Sequence, residues 1–268
     1  MEASPIPRHE SYAKPSIFTP GNLLREARRQ RSLPQSAVPE ICVLDPDGDM
    51  VHLLRETGQA QKDPSWPCYH TSLYTYTDGN ITFGIIGHAV GASFAVLVAE
   101  ELFASGCRFL ISVTSAGEIA PLPRDVPTRL VLIERALRDE GTSYHYLPPS
   151  DWSILQPHLQ TMFADAFQGT SVPVTLGATW TTDAPFRETA SAISRSQDLG
   201  VLAVEMEAAG LYAFAQATEH DVACFAQVTN QLATIEGDFE KNLLHSLQIV
   251  TCAARQWTIH REGVPLEM

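Results

Sequence analysis

Positive charge is scarce in this chain. Its 268 residues carry 18 Lys and Arg against 31 Asp and Glu, a formal net charge of −13. A surface of that sign repels phosphate backbones, so no nucleic-acid partner is expected. Small anions stay open, because a few local cations can dominate one pocket. Paired cysteines are missing as well. Cys42, Cys68, Cys107, Cys224 and Cys252 are odd in number, include no Cys-x-x-Cys, and several sit in apolar runs such as Ile41-Cys42-Val43. Reduced, buried thiols and a cytoplasmic setting follow. No apolar run approaches the roughly 20 residues of a membrane span, and the first residues lack a signal-peptide apolar segment. No membrane partner is expected. His-Glu-x-x-His, cysteine–histidine spacings, Gly-x-Gly-x-x-Gly, the Walker loop and Gly-x-Ser-x-Gly are all absent. Hence neither a catalytic metal nor a cofactor is expected, nor a hydrolase of the nucleophile-elbow kind.

What is present suits one well-packed α/β domain, with 44% hydrophobic residues. Residues 1–38 are polar, proline-dotted and basic at Arg25, Arg28, Arg29 and Arg31. They read as an arm with a short helix near 21–31. That helix is either a solvated face or an arm that packs on a neighbouring subunit and lends it cations. The body, residues 39–268, opens on Ile41-Cys42-Val43-Leu44, a buried strand stopped by the turn Asp45-Pro46-Asp47-Gly48. Tyr69–Tyr76 and Ile81–Gly87 alternate around Asp78-Gly79 as a hairpin. Helices are expected over 92–105, from Asp151 to about 167, over 186–197, from Met206 to about 219 and over 239–257. Strands are expected over 109–113, 130–133, 172–178, 201–204 and 222–228. Alternating strands and helices with an early hairpin predict a three-layer α/β/α fold with a mixed central sheet. Ligands of such sheets sit beyond the strand ends, so the segments of interest are 44–49, 87–93, 114–117, 181–187, 205–207 and 229–231.

Val204-Glu205-Met206-Glu207-Ala208-Ala209 places two carboxylates and a thioether at a strand-to-helix junction. Acidic residues also suit a helix N-terminus for reasons unconnected with any ligand. A carboxylate is, however, a good bidentate acceptor for a vicinal diol, and Met can lie flat against a sugar. The stretch resembles the Met-Glu-Met-Glu signature of nucleoside phosphorylases and nucleosidases. Two others resemble the same superfamily, in the same order. Ala99-Glu100-Glu101-Leu102 through Ser112-Val113-Thr114-Ser115-Ala116-Gly117 looks like its helix, strand and Gly-Ser/Thr-x-Gly loop. Asp139-Glu140-Gly141-Thr142-Ser143-Tyr144-His145-Tyr146 looks like the Asp-Gly-Ala-Ser-x-His segment of uridine phosphorylases. The likeness runs from about Glu40 to Trp257.

The resemblance implies a nucleoside substrate, a homo-oligomer, and roles residue by residue. Glu207 would hold the ribose hydroxyls, Met206 would pack on the sugar and Glu205 would support the loop. Ser115 and Gly117 would line the nucleophile's pocket. His88, after Gly87 at a strand end, reads apart from the resemblance either as an anion ligand or as an ordinary polar loop residue. Phe186 and Arg187 would face the base. Asn230 falls where purine-type relatives place an Asp and uridine-type relatives an Asn; an amide hydrogen-bonds a departing base without protonating it.

The chain departs from the pattern at the nucleophile. Phosphorylases of this kind read Pro-Gly-Asp-Pro-x-Arg after the first strand, where this chain reads Val43-Leu44-Asp45-Pro46-Asp47-Gly48. A second arginine position holds Ser112, and a third, next to a His in a hairpin strand, holds Thr71 after His70. A desolvated phosphate dianion needs charge-assisted donors. Either other cations supply them, with Arg25, Arg28, Arg29, His88, Arg138 and Arg187 as candidates, or water attacks and a carboxylate among Asp45, Asp47 and Asp49 activates it. Phosphorolysis to free base and ribose 1-phosphate is the leading expectation. Hydrolysis and non-catalytic nucleoside binding stay open beside it.

Overall fold

A computed structural model describes Tyr12 and residues 14–122, 129–168, 170, 172–231 and 239–262. Helix α1 (Pro20–Arg31) precedes β1 (Ile41–Asp45), α2 (Asp49–Glu56), β2 (Gln61–Lys62), β3 (Leu73–Asp78), β4 (Ile81–Gly87), α3 (Ala92–Ala104) and β5 (Phe109–Glu118). Then come β6 (Leu130–Asp139), β7 (Trp152–Ile154), α4 (Pro157–Phe163), β8 (Val174–Thr182), α5 (Ala190–Asp198) and β9 (Val201–Glu205). Helix α6 (Ala208–Thr218), β10 (Asp221–Asn230) and α7 (Leu243–Glu262) complete it. The strands form one mixed sheet in the order β10-β6-β8-β9-β5-β1-β4-β3-β2, and β10 also pairs with β5. Strands β5, β10, β6, β8 and β9 therefore close on themselves, and β1, β4, β3 and β2 extend from β5 as an open wing. Helices α1, α3 and α6 pack together, as do α2, α4 and α7, so the sheet lies between two helical layers. The mixed three-layer α/β fold is the one the alternation of apolar runs predicts.

β5 decides the geometry that matters. β10 pairs with it along one edge from Phe109 to Gly117. Its other edge is shared, with β1 taking Phe109–Ser112 and β9 taking Gly117 and Glu118. Between them the sheet splits, and residues 113–116 have no strand partner on that side. A split of this kind leaves backbone groups free to meet side chains or ligands. The β5–β10 pairing explains why both strands outrun their apolar stretches: Thr114–Ala116 of β5 and Asn230 of β10 are held extended by each other, with β5 opposite β10 up to Gly117.

Close packing brings the helical layer down on the sheet. A Cβ on Gly210 of α6 would lie 2.9 Å from the Cβ of Ala92 in α3, so the alanine-rich run after Glu207 lets these helices touch. Tyr212 beneath them is fully buried; its hydroxyl donates to the Ile133 carbonyl at 2.6 Å and accepts from the Cys224 amide at 3.1 Å. Described core residues include Cys42, Cys68, Cys107 and Cys224, and every cysteine is free.

Two helix expectations are corrected. From Asp151 the chain forms β7, antiparallel to the outer edge of β6, and only then the short α4. The guanidinium of Arg135 sits over the Trp152 ring at 4.2 Å, and Pro157 at the helix start fixes where α4 begins. The helix expected from residue 186 begins at Ala190, because the Thr189 hydroxyl caps it by accepting from the Ala192 amide. In the arm, α1 buries Leu24 and Ala27 against α3 of its own chain. Its cations are engaged locally: Arg25 and Arg29 pair with Glu26, Arg28 donates to the Ser36 carbonyl, and Arg31 to the carbonyls of Pro67 and Cys68. Among the described residues no helix is long and apolar enough to cross a membrane.

Candidate active site at the split of the sheet

Three segments converge where β1 and β9 part. The β9–α6 junction delivers Glu207, which is 2% exposed. Its Oε1 accepts from the Gly91 amide at 2.7 Å, at the start of α3. Its Oε2 accepts from the Thr114 hydroxyl at 2.9 Å, on the unpaired stretch of β5. One buried carboxylate thus ties together the three elements that surround the gap, with lone pairs to spare for a ligand's hydroxyls. Burial raises its pKa most, and the neighbouring Glu205 raises it further, while the Gly91 amide and the Thr114 hydroxyl pull it down.

Glu205, 3% exposed, has a different environment. It accepts from the hydroxyls of Thr179 (3.1 Å) and Thr181 (2.5 Å) on β8 and from the amides of Glu207 and Ala208, both 2.7 Å. These four donors fill its oxygens. Helix α6 begins at Ala208 and not at Met206, and the carboxylate takes two of the amides at its entry that no helix turn satisfies. Met206 between the two glutamates is half-buried.

Another flank of the gap is built from the turn after β1. Asp47 Oδ2 accepts from the Ser115 amide at 3.0 Å, within the unpaired stretch of β5. The same oxygen meets the ammonium of Lys241 at 3.0 Å, and Lys241 also reaches Asp49 Oδ2 at 2.5 Å. Gly48 makes the turn possible. Its φ of +85° suits glycine, and a Cβ there would fall 2.1 Å from Cε1 of the His88 imidazole. His88 itself is exposed, with φ +66°, and its amide donates to the Asp45 carbonyl at 3.1 Å. Asp45 points inward, 2% exposed, and accepts from the Val51 amide at 2.9 Å.

Burial pushes the Asp45 carboxyl up to about 6 against the pull of the Val51 amide; Asp47 and Asp49 push the same way and Lys241 opposes them. The native state then binds this proton more tightly than the unfolded chain. Stability from this group is full below about pH 4 and is lost as pH rises through about 6. Asp45→Asn is therefore expected to remove a fall in unfolding free energy of up to about 3 kcal/mol between those limits. Urea unfolding of both proteins at pH 4.5 and 7.5 checks it; an unchanged pH dependence in the variant would refute it.

The remaining expected residues divide. Gly117 lies opposite Val204 of β9 and Asn230 of β10, so the register places all three beside the gap. Asn230 is 8% exposed, and its amide donates to the Ala116 carbonyl and Thr229 hydroxyl, each at 3.4 Å. Phe186 and Arg187 stand on a single 3-10 turn, Pro185–Arg187, and both are exposed, Phe186 at 99%. The structure does not pack them against the Glu207 cluster. Nor does it bring Arg138 there: its guanidinium is spent on Ser143, the carbonyls of Pro148 and Leu147, and the face of Tyr144. The cation that reaches Asp47 and Asp49 is Lys241, a residue no sequence motif singles out. It lies far along the chain from Asp49, in Glu240-Lys241-Asn242 before α7, with no local pattern to mark it. Thr114 and Gly91 were seen only as members of segments. Among the described residues no group of three or more His, Cys, Asp or Glu side chains is placed to hold a metal ion.

The family model of the Phosphorylase superfamily matches residues 40–255, and the chain belongs to that family. A DeoD-type purine nucleoside phosphorylase of an Exiguobacterium species is 28% identical over 151 residues, 54% of this chain and 60% of that protein. Another DeoD-type purine nucleoside phosphorylase, from Exiguobacterium sibiricum, is 29% identical over 158 residues, 56% of this chain and 64% of its own. The chain thus spans about three fifths of the length of these curated relatives.

Proposed function

We propose that the protein cleaves the N-glycosidic bond of a nucleoside, transferring the ribosyl group to phosphate and releasing the free base. The observation that carries this is Glu207: a buried carboxylate held by the Gly91 amide and the Thr114 hydroxyl where the sheet opens between β1 and β9. Membership of the Phosphorylase superfamily supports it, as do the names of the two phosphorylase relatives. The bond from the anomeric carbon to the base nitrogen breaks first, and its electron pair leaves with the base. Glu207 fixes the ribose hydroxyls and its negative charge steadies the cationic sugar. A phosphate oxygen then bonds to the anomeric carbon from the Ser115 side. Asn230, at the end of β10, hydrogen-bonds the departing base, which takes its proton from solvent. Met206 lies against the sugar.

The exposed Phe186 and Arg187 leave the base side open within one chain. A second copy closing over it accounts for their exposure, so the working form is a homo-oligomer, in the cytoplasm. One observation favours a hydrolytic second reading. Asp47 already occupies the Ser115 amide, and among the described residues no arginine pairs with it. A water there would lose its proton to Asp47 as its oxygen bonds to the anomeric carbon, giving free ribose.

Base release from a panel of purine and pyrimidine nucleosides, with and without inorganic phosphate, tests both. Release that requires phosphate and yields ribose 1-phosphate is expected. Equal release without phosphate, yielding ribose, would establish the hydrolytic reading, and no release from any nucleoside would overturn both.

A further inference from the structure

We propose that Lys241 and the Ser115 amide form an oxyanion subsite beside the sugar, and that Asp47 is its built-in occupant, which inorganic phosphate must displace. The proposal rests on the nucleosidic reading of the Glu207 site and names the group that receives the attacking anion.

Three observations carry it. First, the subsite already binds an oxyanion: one carboxylate oxygen of Asp47 takes the Ser115 amide and the Lys241 ammonium, both at 3.0 Å. A phosphate oxygen asks for the same two donors. Second, the position is productive. Ser115 follows Thr114 directly, and the Thr114 hydroxyl holds Glu207, so an anion on the Ser115 amide lies on the flank of the carboxylate that would hold the sugar. The Ser115 hydroxyl oxygen is buried with no partner, one more donor for a tetrahedral ligand. Third, the occupant can leave and the cation can stay. The Asp47 side chain is 35% exposed on a turn between Pro46 and Gly48, whereas Lys241 is 15% exposed and keeps its second bond to Asp49.

Charge makes the exchange obligatory. Lys241 faces Asp47 and Asp49 at contact distance, with Asp45 behind them. A dianion added to that set would meet uncompensated like charge at a few ångströms, worth several kcal/mol in a partly dry site. With Asp47 turned out to solvent, the nearest like charge is gone, and phosphate meets two neutral donors and the Lys241 ammonium, which Asp49 still shares. A device of this kind keeps the donors satisfied while the site is empty and makes phosphate affinity depend on one turn.

The test uses the full chain and inorganic phosphate as the probe, by titration calorimetry without nucleoside at pH 7.5. Removing the competitor in Asp47→Ala is expected to tighten phosphate binding at least tenfold. Adding Lys241→Met to that variant is expected to reverse the gain, whereas Lys241→Arg, which keeps the charge, should preserve most of it. Melting curves identify any variant that fails to fold, and the arginine variant then carries the comparison. Unchanged phosphate affinity in Asp47→Ala, or loss of Lys241's charge with no effect in that background, would overturn the proposal. Binding is read without turnover, so a protein that binds phosphate through Lys241 yet cleaves no nucleoside refutes the functional reading alone. One that cleaves nucleosides but binds no phosphate after Asp47→Ala refutes the subsite alone.

Discussion

Glu207→Ala is expected to lower base release by about 100- to 1,000-fold while leaving the protein folded, the scale set by loss of one preorganised group that meets transition-state charge. Both halves follow from its surroundings. The carboxylate is buried and its pKa is raised by that burial and by Glu205, so its ionised form is held at a cost to the fold. Deleting it relieves that repulsion and leaves only one amide and one hydroxyl, from Gly91 and Thr114, to find other partners. The pH profile carries a second mark. A carboxylate with a raised pKa ionises later, so activity that needs its charge should climb on the alkaline side of the ordinary carboxylate range. Glu207→Gln keeps the shape and should flatten that limb. Base release across pH, with unfolding followed on the same samples, checks the set; near-normal turnover in Glu207→Ala would remove Glu207 from the mechanism.

Much of this site was legible in the sequence, and the parts that were not share a physical reason. Glu205 and Glu207 stand out because acidic residues at a buried strand-to-helix junction are costly and need a purpose. Ser115 and Gly117 were expected from the likeness of 112–117 to the Gly-Ser/Thr-x-Gly loop, and Asn230 from the position that relatives fill with Asp or Asn; the strand register sets them beside the gap. The pairing of Asp47 with the Ser115 amide was not legible, since it depends on how far β1 and β9 stop short of each other along β5. Lys241 was invisible for the same reason: its partners lie across the whole chain, and only the closing of β10 against β5 brings the start of α7 to the turn after β1. Local pattern gave the arm helix but not the face it buries. It also erred around Asp151, where apolar residues of a short edge strand and a short helix run together into one helical-looking stretch.

Glu205→Leu should have the reverse effect of Glu207→Ala, losing stability before chemistry. Leucine nearly matches the volume but accepts no hydrogen bond. The Thr179 and Thr181 hydroxyls and the Glu207 and Ala208 amides would lose their acceptor together, in the best-buried part of the molecule. Each buried donor left without a partner costs about 1–3 kcal/mol. Removal of the charge returns part of that, because burial raises the pKa of Glu205 while the four donors lower it. A net loss of about 3–5 kcal/mol is the expected result, a large fraction of the stability of an ordinary domain. Thr181 adds a further link, since its hydroxyl also accepts from the Ala209 amide and so carries the disturbance into the first turn of α6. Glu205→Gln should be milder, keeping one acceptor oxygen while turning an amide group toward donors. Chemical unfolding of the three proteins checks this order. A Glu205→Leu protein as stable as the parent would mean that these donors find other acceptors, and that α6 does not depend on this carboxylate for its start.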